Sequence, residues 1–244
     1  SIILMNRVEE CAPVRMDAPL NLLAARGSVS LTGCMSAKDT PLELYDVTSM
    51  HDSIILFERA NLMPTANVRQ MLAEAASHGS IVLQEMDDHP NVNEAAARDH
   101  YFLFRAVSAV QTSTKYLADY LRKFNPYVYL FENQLAELPF ARSYEGNASQ
   151  VTIFFGALNR RADWEPLMPS INAAIQEHGD RLYFRVVSDY TFYQQLRTEQ
   201  KSYVGGTQDG SVVAPYERYV EELHASDIAL LPLNDTEFNR AKSD

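Results

Sequence analysis

The chain has 244 residues, 46% of them hydrophobic and 22% charged, with a formal net charge of −11. That is ample apolar mass for a core and more chain than the usual single domain, so two α/β domains of unequal size are expected. Acidity on this scale repels phosphate in the mean field and argues against general binding of nucleic acid or anionic membrane, so any phosphate site has to be a local basic pocket.

No apolar run reaches bilayer length, and the apolar start at residues 2–5 is followed at once by Asn6, Arg7 and two glutamates, unlike a signal peptide. No membrane span and a cytoplasmic location are therefore expected. Cys11 and Cys34, without a Cys-x-x-Cys spacing, read as two reduced thiols. Six scattered histidines give zinc no foothold, and no metal site is expected.

In chain order, residues 2–5 read as a short buried strand, and 11–26 as a helix entered through a turn at Pro13 or Pro19 and stopped by Gly27. Strands follow at 29–31, 51–57 and 80–83, with a helix over 66–77 closed by Gly79. Arg15 reads on its own as a surface arginine at a helix start, where its charge opposes the dipole.

The acidic run Glu85-Met86-Asp87-Asp88-His89-Pro90 stands where the fourth strand ends. Carboxylates at a strand's carboxyl end face the cleft of an open α/β sheet, where they are placed to bind hydroxyls. Adjacent acids with a histidine equally suit a hard cation. The same residues also read as an acidic turn before Pro90 that caps the next helix.

Further on come a helix at 101–106, a strand at 109–113 leading into a Ser/Thr cap, a helix at 115–124 and a strand at 128–131. The loop Glu132-Asn133-Gln134 closes this half. Residues 141–150 are polar, carry Gly146 and lack an apolar period, which makes them the linker between domain 1–140 and domain 151–244. The second half restarts with a strand at 151–155 ending at Gly156, then Arg160 and Arg161, a helix at 165–177, a strand at 182–187 and a helix ending at Leu196. A helix with Tyr216, Tyr219, Val220 and Leu223 on one face leads to a strand at 228–231, a polar loop and the opening of another helix bearing Arg240 and Lys242. A loop that feeds a helix N-terminus attracts anions, and these two cations strengthen the attraction. An ordinary crossover with solvated charges has the same pattern.

Several of these segments resemble retaining GT-B glycosyltransferases of the group-1 type. The resemblance is carried by ASDIALLPL and FNRAKSD near the end, by the strand and acidic cluster IVLQEMDDHP, by TSTKYLADYL with its following strand and asparagine loop, and by CAPVRMDAPL. It implies two Rossmann-like doubly wound α/β domains, the second incomplete because the chain stops before the donor-sugar glutamate expected past FNRAKSD. It also implies a nucleotide-diphosphate-sugar donor, no other cofactor and no metal, with a saccharide, lipid-linked or protein acceptor. Gly156, Arg160, Arg161, Arg240 and Lys242 are the implied donor-binding residues, Asp87 and Asp88 the catalytic pair on the acceptor side, and Arg15 and Asn133 cleft residues. The chain departs from the commoner pattern in having Ala157 after the glycine and Asp163 near an expected basic residue. A sheet lacking its last strands exposes an edge, so self-association is expected. The competing reading is a non-catalytic two-domain module that binds a nucleotide, a sugar or a partner. A nucleotide-linked dehydrogenase is disfavoured, because no G-x-G-x-x-G follows an expected strand.

Overall fold

A computed structural model describes residues 1–6, 12–34, 51–60, 62–92, 94–134, 149–205 and 213–242. Most of the expected linker, residues 141–148, lies outside them, as does Cys11. The chain is α/β and Rossmann-like, with its strands in two parallel sheets. It forms two compact units: Ser1–Leu138 with Thr236–Asp244, and Pro139–Asp235. The segment Thr236–Asp244, expected with the second domain, packs with the first unit. Ala241 is fully buried in that unit's core, which gives the association its apolar anchor.

The first unit holds β1 (Ile2–Asn6), β2 (Leu31–Cys34), β3 (Ile54–Glu58), β4 (Ile81–Met86), β5 (Ala109–Thr112) and β6 (Val128–Leu130), in the order β2-β1-β3-β4-β5-β6. Strands such as IILFE are near-continuous apolar runs because helices cover both faces of a parallel sheet. Ile55 and Phe57 pack on one face with α2 (Ala66–Ser77), α4 (Phe102–Ala106) and α5 (Lys115–Leu121), the short α3 (Glu94–Arg98) preceding α4, while Leu56 points the other way, against Ala12 and Met16. Thr65 and Thr114 cap α2 and α5, each accepting a hydrogen bond from a backbone N–H three residues on, at 3.2 Å. Two expectations change in ways that matter. The helix expected over 11–26 divides into a π-helical turn, Pro13–Asp17, and α1 (Ala18–Ala25). β4 also runs to Met86, so Glu85 lies inside the strand and not in the turn after it.

The second unit holds β7 (Val151–Gly156), β8 (Leu182–Val187), β9 (Lys201–Val204) and β10 (Ile228–Ala229), in the order β10-β7-β8-β9. On one face Phe155 stacks on Phe192 at 3.7 Å and Trp164 meets Phe192 edge-on at 5.2 Å, between α6 (Arg161–Trp164), α7 (Met168–His178) and α8 (Tyr190–Gln195). On the other lies α9 (Tyr216–His224), with Tyr219 edge-on to Phe154 at 5.1 Å. The apolar stripe expected for α9 is modified here: Tyr216 is exposed, and Glu222 is buried. Arg185 projects from β8 toward this face and takes one oxygen of Glu222 at 2.5 Å while Arg218 takes the other at 2.5 Å, so the buried carboxylate is paired twice. Among the described residues no helix is long and apolar enough to cross a membrane.

Candidate functional site

In the first sheet the strand order reverses between β1 and β3, and open α/β sheets bind ligands outside the carboxyl ends of strands at such a point. The charged residues gather here. Glu58 ends β3 and pairs in register with Glu85 of β4, which sets two glutamates side by side on one face of the sheet. Both are fully buried. Arg15 reaches in from the π-helical turn, a distortion that is frequent at functional sites. Its Nε donates to Glu85 Oε1 at 2.7 Å, Nη2 donates to the same oxygen, and Nη1 donates to Asn133 Oδ1 at 2.5 Å. Arg15 Nε also lies 3.6 Å from Asp87. Arg59 spans Asp87 at 3.3 Å and Asp88 at 2.5 Å, and Lys242 closes on Asp88 from the far end of the chain.

The cluster sets four carboxyl groups, Glu58, Glu85, Asp87 and Asp88, against three cations, Arg15, Arg59 and Lys242. Burial penalises the extra charge. It pushes the Glu85 pKa up to about 8, with Asp87 and Glu58 adding to the rise and Arg15 opposing it. Glu85 is therefore mostly protonated at neutral pH. Arg15 occupies Oε1, while Oε2 is buried and has no hydrogen-bond partner among the described residues, so the proton belongs on Oε2. Protonation of Glu85 removes one negative charge from this cluster.

The helix α10 (Glu237–Arg240) follows the Thr236 cap and brings Glu237 to 3.5 Å from His89 Nε2. Burial lowers the His89 pKa, and Glu237 opposes the shift. Thr114 donates to Ala241 O at 3.3 Å, which ties this segment to the start of α5. Beside Asp88 opens a cavity of about 520 Å³, bounded by Arg59, Glu94, Asp99, Tyr101 and Phe102. Tyr101 in its wall and the neighbouring His100 hold left-handed backbone conformations, with φ of 55° and 53°. Each costs about 1–2 kcal/mol for an L-residue, and such strain collects at functional sites.

In the second unit the order reverses between β7 and β10, and Gly156 ends β7 at that point. A Cβ on Gly156 would lie 2.5 Å from Phe154 Cζ and 2.6 Å from Tyr219 Cε2, so packing demands the glycine whatever ligand the turn receives. Arg160 pairs with Asp163 at 3.3 Å, and Asp163 also accepts from the Asn234 N–H at 3.0 Å. Arg161 is exposed and pairs along α6 and the turn after it with Glu165 at 2.5 Å. Glu165 raises its pKa.

Five of the residues singled out from sequence thus meet in the first unit: Arg15, Asp87, Asp88, Asn133 and Lys242. Asp87 and Asp88, read from sequence as acceptor-side carboxylates, are both ion-paired with Arg59, and Asp88 with Lys242 as well. Gly156, Arg160 and Arg161 belong to the second unit, and Arg240 and Lys242 to the first. Sequence reasoning passed over Glu58, Arg59 and Glu237. The signal for the first two was a charged Glu-Arg pair closing the apolar run SIILF, the pattern already read at Asp87 and Asp88. Among the described residues no group of three or more His, Cys, Asp or Glu side chains is arranged to hold a metal ion. Neither a family model nor a curated protein matches this chain.

Proposed function

We propose that this chain is a glycosyltransferase of the GT-B kind, which takes a sugar from a nucleotide-diphosphate donor held by the second unit and passes it to an acceptor held by the first. The bond from the anomeric carbon to the diphosphate breaks, the acceptor oxygen bonds to that carbon on the same face, and the acceptor's proton leaves with the diphosphate oxygen. Such chemistry asks little covalent participation of the protein, which has to stabilise the departing charge and hold the partners in attack geometry. Arg160, and Arg161 if it leaves Glu165, are the cations for the diphosphate. Asp87 and Asp88, fixed by Arg59 and Lys242, orient acceptor hydroxyls.

One observation supports this reading above the others. Arg15 and Asn133, 118 positions apart, meet in a hydrogen bond beside Asp87, at the place where an α/β sheet receives its ligand. Titration calorimetry of the chain with uridine, guanosine, adenosine and cytidine diphosphates tests the donor half. One of them is expected to bind, and Arg160→Ala to weaken it about tenfold, since a guanidinium–phosphate hydrogen bond carries about that much free energy. Binding by none of the four would remove the donor half of the proposal.

A further inference from the structure

We infer that the edge strand β6 is a homodimerisation surface, on which a second copy of this chain adds its own β6 antiparallel, across a twofold axis at Tyr129. Nothing in this depends on the glycosyltransferase reading. β6 ends the first sheet and, among the described residues, pairs with β5 alone. Tyr127 O accepts from the Val110 N–H at 2.9 Å, and the Phe131 N–H donates to Thr112 O at 2.8 Å, so the odd-numbered residues turn their backbone groups to β5. By alternation the N–H and C=O groups of Val128 and Leu130 face outward. Such an open ladder is a template for another strand, and natural sheets guard it with lysine, proline, a bulge or a cover. Residues 127–131, YVYLF, contain no lysine and no proline. By contrast β10, an edge of the second sheet, is two residues long and meets Pro232, which has no N–H to donate, three residues on.

The side chains select the occupant. Tyr127, Tyr129 and Phe131 share one face of the strand and are 62%, 55% and 59% exposed, while Val128 on the other face is buried. Scattered single apolar residues on a surface need no explanation, but three aromatic rings in one row do. Pairing that sets Val128 opposite the partner subunit's Leu130 satisfies the outward backbone groups of both strands. It also sets Tyr129 opposite the partner subunit's Tyr129, and Tyr127 opposite the partner subunit's Phe131, so six rings form one cross-strand ladder. That register is self-complementary, as a twofold interface requires. A foreign strand would match the hydrogen bonds, whereas this sequence returns an aromatic ring at each of the three facing positions. At about 150 Å² a ring the row offers about 450 Å² a side, roughly half of the 800 Å² in a standard interface, so the dimer is a weak one. The net charge of −11 on each copy opposes it further.

Sedimentation equilibrium of the chain up to about 500 µM should show monomer and dimer with a Kd of about 10–100 µM. Added salt should tighten the dimer, because screening weakens the repulsion between two acidic chains and leaves apolar and main-chain contacts in place. Tyr129→Lys makes each copy less acidic yet sets two ammonium groups against each other at the axis. It should weaken the dimer at least about tenfold with an unchanged circular dichroism spectrum. Leu231→Lys makes the same change in charge at an exposed position just past β10 and should leave the Kd within about a factor of two, since distant sites act independently. In the unaltered chain, amide exchange at Val128 and Leu130 should slow as concentration rises, and far more than at Phe131, which already donates to β5. A monomer at every concentration, a dimer that salt dissociates, loss of the dimer in Leu231→Lys but not in Tyr129→Lys, or exchange at Val128 and Leu130 that ignores concentration would overturn the inference.

Discussion

Arg15 reaches Glu85, Asp87 and Asn133 from one turn of backbone, and its side chain is buried. Removing the guanidinium leaves the buried Glu85 Oε1 without its donor. Arg15→Ala should therefore cost about 1–3 kcal/mol in urea unfolding, and Arg15→Lys should recover only part of it, because an ammonium lacks the fork that holds Glu85 and Asn133 together. Glu85 behaves in the opposite sense. Its pKa rises on folding to about 8 from an ordinary 4.5, so the folded state holds a proton that the unfolded chain releases. The stability that this proton confers is complete below about pH 4.5 and is lost as pH rises through about 8. Glu85→Gln keeps an oxygen for Arg15 and no longer ionises. Thermal melts of the variant should lose the part of the decline between those limits that belongs to Glu85, and an unchanged profile would show that Glu85 is ionised in the fold.

Among the elements, β7 and α9 depend on one missing side chain. Gly156→Ala would drive a methyl group into the rings of Phe154 and Tyr219, and overpacking of this kind costs about 1–3 kcal/mol. Guanidinium unfolding should show the loss, and Tyr219→Leu in the same chain should recover part of it by making room. The cap of α5 has a different role. Thr114 accepts from the Leu117 N–H and donates to Ala241 O, so Thr114→Ala should cost about 1 kcal/mol as a cap and also loosen the segment that carries Lys242. Faster amide exchange at residues 237–242 than in the parent chain would report that second effect. The secondary structure was legible where periodicity was strong. The helix over 66–77 and the strand over 182–187 follow from apolar spacing and cap residues alone. The division of 11–26 was not legible, since both prolines are tolerated in the first turn of a helix and only the contacts of Arg15 and Met16 favour a π-helical turn there.

Among the described residues the two larger apolar clusters lie one in each unit, around Phe57, Val110 and Leu117 in the first and around Phe155, Trp164 and Phe192 in the second, with a smaller cluster of Ala12, Met16 and Leu56 on the other face of the first sheet. Each unit has its own sheet and its own buried aromatic or aliphatic centre, so scanning calorimetry should resolve two transitions in place of one. A ligand raises the melting temperature of whatever it binds. On the proposed reading, a nucleoside diphosphate should move the transition of the second unit and leave that of the first in place; a shift of the first alone would count against donor binding by the second unit.

The order of strands and helices, and with it the α/β class, was determined by sequence, because alternating apolar runs and caps act over a few residues and need no distant partner. The acidic run at residues 85–88 was visible on the same terms, as charge beside an apolar strand. Its chemistry was not. Whether those carboxyls stand open, ionised or paired depends on Arg15, Arg59 and Lys242, which lie up to 154 positions away and are brought in by strand order and by the return of Thr236–Asp244 to the first unit. Charge compensation and desolvation are properties of that assembled neighbourhood, so only the tertiary structure decided them.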